Sequence, residues 1–117
     1  MHAFLACVLA DLGRSDEAER FVVEAEQEVG PEDPAARWIV KLALGAVSAA
    51  QGRDDDAERF YTESVEMARS FDFKLLEMHS LTRLVRFFSE RGRADESAAY
   101  EERLSELSPL RSTAEIA

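Results

Sequence analysis

Cysteine is all but missing from this chain. Cys7 stands alone, so no disulfide can form within the chain, and a reducing, cytoplasmic setting is the simple expectation. Breakers are scarce as well: 3 Pro and 5 Gly in 117 residues leave room for long helices. Histidine occurs twice, as His2 and His79, and no His–Cys cluster has the spacing of a metal site. No glycine-rich phosphate loop follows a strand, and no strand is apparent. The expectation is therefore no catalytic residue, no metal, no cofactor and no enzyme activity. Apolar runs stay well short of the roughly 20 residues of a membrane span. Basic residues are the minority, 14 against 24 acidic, for a net charge of −10. That sign argues against a nucleic-acid backbone or an anionic membrane surface as main partner.

What is present is apolar residues, 46% of the chain, in helical patterns. The opening MHAFLACVLADLG has a short apolar run without Lys or Arg before it, so it reads as a helix rather than a leader. Trp38–Ala50 carries a single charge, Lys41, and a helix apolar nearly all round must be covered on several sides. Six helices are predicted. They cover residues 2–12, about 15–29, 34–51, 54–70, 73–91 and 95–107. Ser15, Asp33 and Asp54 are the expected N-caps, followed by acidic first turns that suit the helix dipole. The expected inward faces are Ala18, Phe21, Val22, Ala25 and Val29 on the second helix, and Ala57, Phe60, Tyr61, Val65 and Ala68 on the fourth. On the fifth they are Leu75, Met78, Leu81, Leu84, Val85, Phe87 and Phe88, and on the sixth Ala98, Tyr100, Leu104 and Leu107.

Three breaks match. Leu12-Gly13-Arg14, Gln51-Gly52-Arg53 and Arg91-Gly92-Arg93 share Gly-Arg, with the glycines 39 and 40 residues apart. Five residues after each glycine stands a small side chain (Ala18, Ala57, Ser97), and three further on an aromatic (Phe21, Phe60, Tyr100). The small residue lets two arms approach; the aromatic is expected to fill the gap between neighbouring units. A fixed period near 40 with a helical hairpin per unit is the signature of a solenoid.

These residues resemble the tetratricopeptide repeat (TPR). The middle unit carries Leu44-Gly45, Gly52, Ala57, Tyr61 and Ser64. The third carries Leu84, Gly92, Ser97, Leu104 and Pro109, departing from the pattern at Val85 and Glu101. The first carries Leu5-Ala6, Gly13, Ala18, Val22, Ala25 and Gly30-Pro31. The family's period is about 34 residues, so the chain looks like a long-period variant, similar to helical regions of bacterial regulators of the MalT type. The resemblance implies an all-α fold of three antiparallel hairpins stacked as a right-handed solenoid. One domain would span 1–109, with units of about 1–31, 32–70 and 71–109, and 110–117 would be a tail.

By the same resemblance the first arms line a concave face that binds a peptide or partner helix. Its residues here would be Cys7, Ile39, Leu42, Ala46, Ala49, His79, Thr82, Arg83 and Arg86: an apolar floor with two arginines at one end. Those arginines have two uses open to them, a partner's carboxylates or the chain's own acids. Family members that hold acidic chaperone tails use Lys and Asn at places occupied here by Ala3, Cys7 and Ala43, so such tails are not expected to bind. Phe4, Leu5 and Val8 give the first helix an apolar outer face, and a homodimer or a preceding repeat would cover it. The implied function is a protein-interaction scaffold. The alternative is a self-association or regulatory segment of a larger signalling protein.

Overall fold

The computed structural model describes residues 2–30 and 33–107; the side chains of His2 and Phe4, and the residues around Pro31 and Pro109, lie outside what it describes. Six α-helices follow one another: α1 His2–Asp11, α2 Ser15–Glu28, α3 Pro34–Ala50, α4 Asp54–Ser70, α5 Lys74–Glu90 and α6 Ala94–Leu107. Among the described residues there is no strand, and no helix is long and apolar enough to cross a membrane. Sequence neighbours pack on one another, α1 on α2, α3 on α4, α4 on α5 and α5 on α6, while α3 also rests on α1 and α2. The molecule measures 46 × 34 × 21 Å, and its short axis is about two helix diameters.

α3 packs on α1, α2 and α4 and reaches α5 through Trp38. Trp38, Val40, Leu42, Ala43, Gly45, Ala46, Val47 and Ser48 are buried along it, as its near-continuous apolar sequence requires. Its N-terminus is made as expected: Asp33 accepts from the Ala36 amide at 3.1 Å, and Pro34 opens the helix. The other two expected caps are displaced. Ser15 and Asp54 are the first helical residues, and Arg14 and Arg53 precede them without a side-chain cap bond. Asp54 turns instead to Arg91, whose Nε donates to both of its carboxylate oxygens at 3.1 Å.

The helices turn in one way four times, not three. Gly13, Gly52 and Gly92 hold left-handed backbone, with φ of 81°, 76° and 70°, and Asp72 holds it too, with φ of 56°. At each turn the next amide reaches back to the helix just ended: Arg14 N to Leu9 O, Arg53 N to Ser48 O, Phe73 N to Ala68 O and Arg93 N to Phe88 O, at 2.8 to 3.1 Å. These bonds satisfy carbonyls that a helix end would otherwise orphan. Five residues past each left-handed position the chain is buried, at Ala18, Ala57, Glu77 and Ser97. Three of the four are small. The fourth is a carboxylate, clasped from α4 by Arg69 at 3.1 Å and from α6 by Arg103 at 2.9 Å.

Two expected inward residues face out. Leu75 is 71% exposed, because it falls on the open first turn of α5 rather than on the stripe of Leu81, Leu84 and Phe88. Ala98 is exposed too, and its neighbour Ser97 takes the buried place. The aromatic at the spacing of Phe60 is not the gap-filler between units. Phe60 is half-buried beneath Lys41 and Arg59, whose charges lie 5.6 and 4.7 Å from its ring. Tyr61, one residue on, is the ring between α4 and α5, edge-on to Phe87 with centroids 5.9 Å apart.

Candidate functional site

α3 and α5 meet through side chains, and the space left between them is where the candidate site lies. Trp38 Nε1 donates to Ser80 Oγ at 2.8 Å, the Ser80 and Ser64 hydroxyls are hydrogen-bonded at 2.9 Å, and Ser64 Oγ donates to the Tyr61 carbonyl at 2.7 Å. The three side chains are buried. They tie α3, α4 and α5 together without leaving an indole N–H or a hydroxyl unpaired, which would cost about 1–3 kcal/mol each.

Above this tie α1, α3 and α5 enclose a cavity of about 440 Å³. Cys7 comes from α1; Trp38, Ile39 and Leu42 come from α3; Leu76, His79, Thr82, Arg83 and Arg86 come from α5. A second cavity of about 380 Å³ adjoins it, lined by Ala10, Asp11, Ala46, Ala49, Tyr61, Phe87 and Arg91 among others. Arg83 and Arg86 line both. Seven of the nine residues expected on the binding face thus line the first cavity, and Ala46 and Ala49 line the second beside the same two arginines.

The arginines differ in what they hold. Arg83 grips Asp11 with both ends of its fork, at 3.1 and 2.8 Å, so this charge is taken up by the chain's own acid. The bond also carries α1 onto α5, two helices 72 residues apart at this contact. Arg86 is 53% exposed; its carboxylate neighbours Asp11 and Glu90 lie at 3.5 and 3.9 Å, longer than hydrogen bonds. Thr82 turns its hydroxyl to the Met78 carbonyl at 2.8 Å. Cys7 is 2% exposed, and burial pushes its thiol up to about 11, with Arg83 pulling the other way. Burial and a raised pKa set it apart from the exposed, low-pKa thiols that react. Burial likewise raises Tyr61 to about 12. Among the described residues no group of three or more His, Cys, Asp or Glu side chains could hold a metal ion.

Nine further residues line the two cavities, and three of them shape the site. Trp38 reads as a packing residue and is one, but its ring also walls the cavity, with His79 edge-on at 6.3 Å. Leu76 lies between the charged turn and the buried stripe of α5, where periodicity says little. Arg91 had a signal: it precedes Gly92 where Leu12 and Gln51 precede the other glycines. It donates to the Ala49 carbonyl at 2.9 Å, in addition to holding Asp54, and so ties α5 to the end of α3.

On the far side of α1, Leu5 and Val8 are 41% and 40% exposed and Leu12 67%. The side chain of Phe4, expected with them, lies outside the described residues. No family model matches the chain, and no curated protein or solved structure shows a significant match to it.

Proposed function

We propose that this chain is a protein-interaction module, a TPR-like stack of three helical hairpins wound as a right-handed solenoid, and not an enzyme. Its working surface is the face shared by α1, α3 and α5, and its partner is a polypeptide, received as a helix more readily than as an extended strand. The observation that carries this reading is the two-part cleft between those helices, with an apolar floor and Arg83 and Arg86 on one wall. The preference for a helix has a physical basis. An extended peptide needs partners for its own backbone, and a buried amide left unpaired costs about 1–3 kcal/mol. The chain contains no asparagine, neither cavity is lined by glutamine, and Thr82 is already bonded. A helix brings its backbone satisfied and asks only for burial of an apolar stripe. The test is pull-down or crosslinking from the native cell extract with Arg83→Glu, Arg86→Glu and the double variant. Loss of captured protein with helicity and mass in solution unchanged supports the cleft; capture unchanged sinks it.

A second reading rests on a different surface. Leu5, Val8 and Leu12 follow one another at i, i+3 and i+7 and are exposed. A regulatory or self-association segment of a larger signalling protein would use such a stripe. Leu5→Glu with Val8→Glu then lowers the mass in solution, while the arginine variants leave it alone. An unchanged mass ends that reading.

A further inference from the structure

We propose that the cavity between α1, α3 and α5 is a binding site for a small apolar monocarboxylic acid, its body against Trp38, Ile39, Leu42 and Leu76 and its carboxylate on Arg86. The inference goes beyond the partner-helix reading and does not require it.

Its volume of about 440 Å³ lies within the range of small-ligand pockets, roughly 300–1,000 Å³. The walls divide by chemistry. Three of those four apolar side chains come from α3, and the charge sits across the gap on α5. A ligand for such a space has one apolar end and one charged end. The cation side is unusual in a chain of net charge −10, since two arginines stand three residues apart there with Asp11 between them. Asp11 takes two bonds from Arg83 and lies 3.5 Å from Arg86, so the Arg86 fork is the one open to a visitor. A carboxylate matches that fork with two parallel bonds. A phosphate dianion does not suit the place, because Asp11 and Glu90 flank Arg86 and only one free fork is available to offset the repulsion. An extended peptide is less suited than a free acid, because Thr82, His79 and the arginines are few partners for a run of backbone amides.

Trp38 is the only tryptophan and lines the cavity, so its emission reports the site directly. The probes are hexanoate, octanoate, decanoate and phenylbutyrate below their aggregation limits, with octylamine and octanol as head-group controls. Acids should shift Trp38 emission saturably, with each added methylene tightening binding by up to about fourfold until the cavity is full. Arg86→Gln should weaken octanoate binding roughly tenfold or more, and Arg86→Lys less. Asp11→Asn, which removes the chain's own competing carboxylate, should tighten it about threefold. Thr82→Phe, at an exposed position on the mouth, should abolish it without loss of helicity. Octylamine binding as tightly as octanoate, or Arg86→Gln binding as wild type does, overturns the assignment. So does an unmoved Trp38 with the acids when an amidated helical peptide of Leu and Glu does move it, since the carboxylate then arrives on a polypeptide and the interaction reading survives alone.

Discussion

Gly45 sits in the middle of α3, where a glycine ordinarily weakens a helix. Replacing it by alanine should gain about 1 kcal/mol in helix propensity if the site were open. It is not open. A Cβ built on Gly45 would stand 2.6 Å from both Cδ1 and Cε1 of Tyr61 and 3.1 Å from its Cγ, against a comfortable carbon–carbon separation of about 3.5–4.0 Å. The ring would have to retreat by about 1 Å to restore that separation. It has little room to do so, being 3% exposed and edge-on to Phe87. Overpacking of this kind costs about 1–3 kcal/mol, and a close approach to a ring wedged on its far side belongs at or above the upper end. Gly45→Ala should therefore lose about 2 kcal/mol or more net, the steric term outweighing propensity. Urea unfolding followed by far-ultraviolet circular dichroism and by Trp38 emission measures this, with the m-value held constant. The pairing with Tyr61 is checked by a double-mutant cycle. Tyr61→Leu alone is destabilising, but in the Tyr61→Leu background the alanine should cost less, giving a favourable coupling of at least about 1 kcal/mol. A Gly45→Ala protein more stable than wild type, or a cycle additive within about 0.5 kcal/mol, would refute the claim that this glycine is kept for contact.

The same logic reaches other positions. Glu77→Gln leaves Arg69 and Arg103 facing a neutral amide; the loss should be about 2 kcal/mol, below the roughly 3–5 kcal/mol of a fully buried pair, because both arginines reach water. The hydrogen bond from Arg103, then that from Arg69, holds the Glu77 carboxyl below its ordinary 4.5. A lowered folded pKa gives stability that is present above 4.5 and lost as pH falls through the folded value, so Glu77→Gln should flatten the acid limb of a stability–pH curve. Asp72→Gly should stabilise by up to about 1 kcal/mol in thermal melts, since it relieves a left-handed non-glycine residue; a loss would mean the Asp72 side chain supports the turn. A peptide ending in an acidic chaperone-type tail should not bind by calorimetric titration, because Ala3, Cys7 and Ala43 are buried and bring neither a cation nor an amide to its carboxylates.

Periodicity carried the helices and the three glycine turns, because both are local: an apolar stripe and a left-handed residue leave their marks within a few positions. The fourth turn hid because Asp72 takes up the backbone that glycine takes up elsewhere, and nothing in its neighbours marks that backbone as left-handed. Cap residues were misplaced where an arginine precedes the helix, since Asp54 found a better partner in Arg91, 37 residues away, and no local rule contains that choice. On the candidate face the nine residues came from the TPR resemblance and the register of the three glycine turns, and they line two adjoining cavities. What register could not say is how Arg83 and Arg86 divide their duties. That depends on Asp11, which α1 delivers from the other end of the chain.

Glu77 shows what that limit means. Aligned on the left-handed residue of each turn, it occupies the buried place held by Ala18, Ala57 and Ser97. Burial alone would favour the neutral acid there, but the two arginine partners hold the carboxyl below its ordinary range, charged and paired. The arginines come from α4 before it and α6 after it, so a single side chain joins three successive helices. Alanine at this place would close the gap and leave two cations on the outer side of the bundle without their common acid. Glutamate instead adds a charged tie to the seat of α5 and α6 on α4, beside the apolar contact that Tyr61 and Phe87 make there. High salt and low pH should therefore loosen α5 and α6 before they loosen α3. Hydrogen exchange at about pH 4 against about pH 7 would show this as protection lost first from α6, and uniform loss across all six helices would show that Glu77 is only one more surface-linked pair.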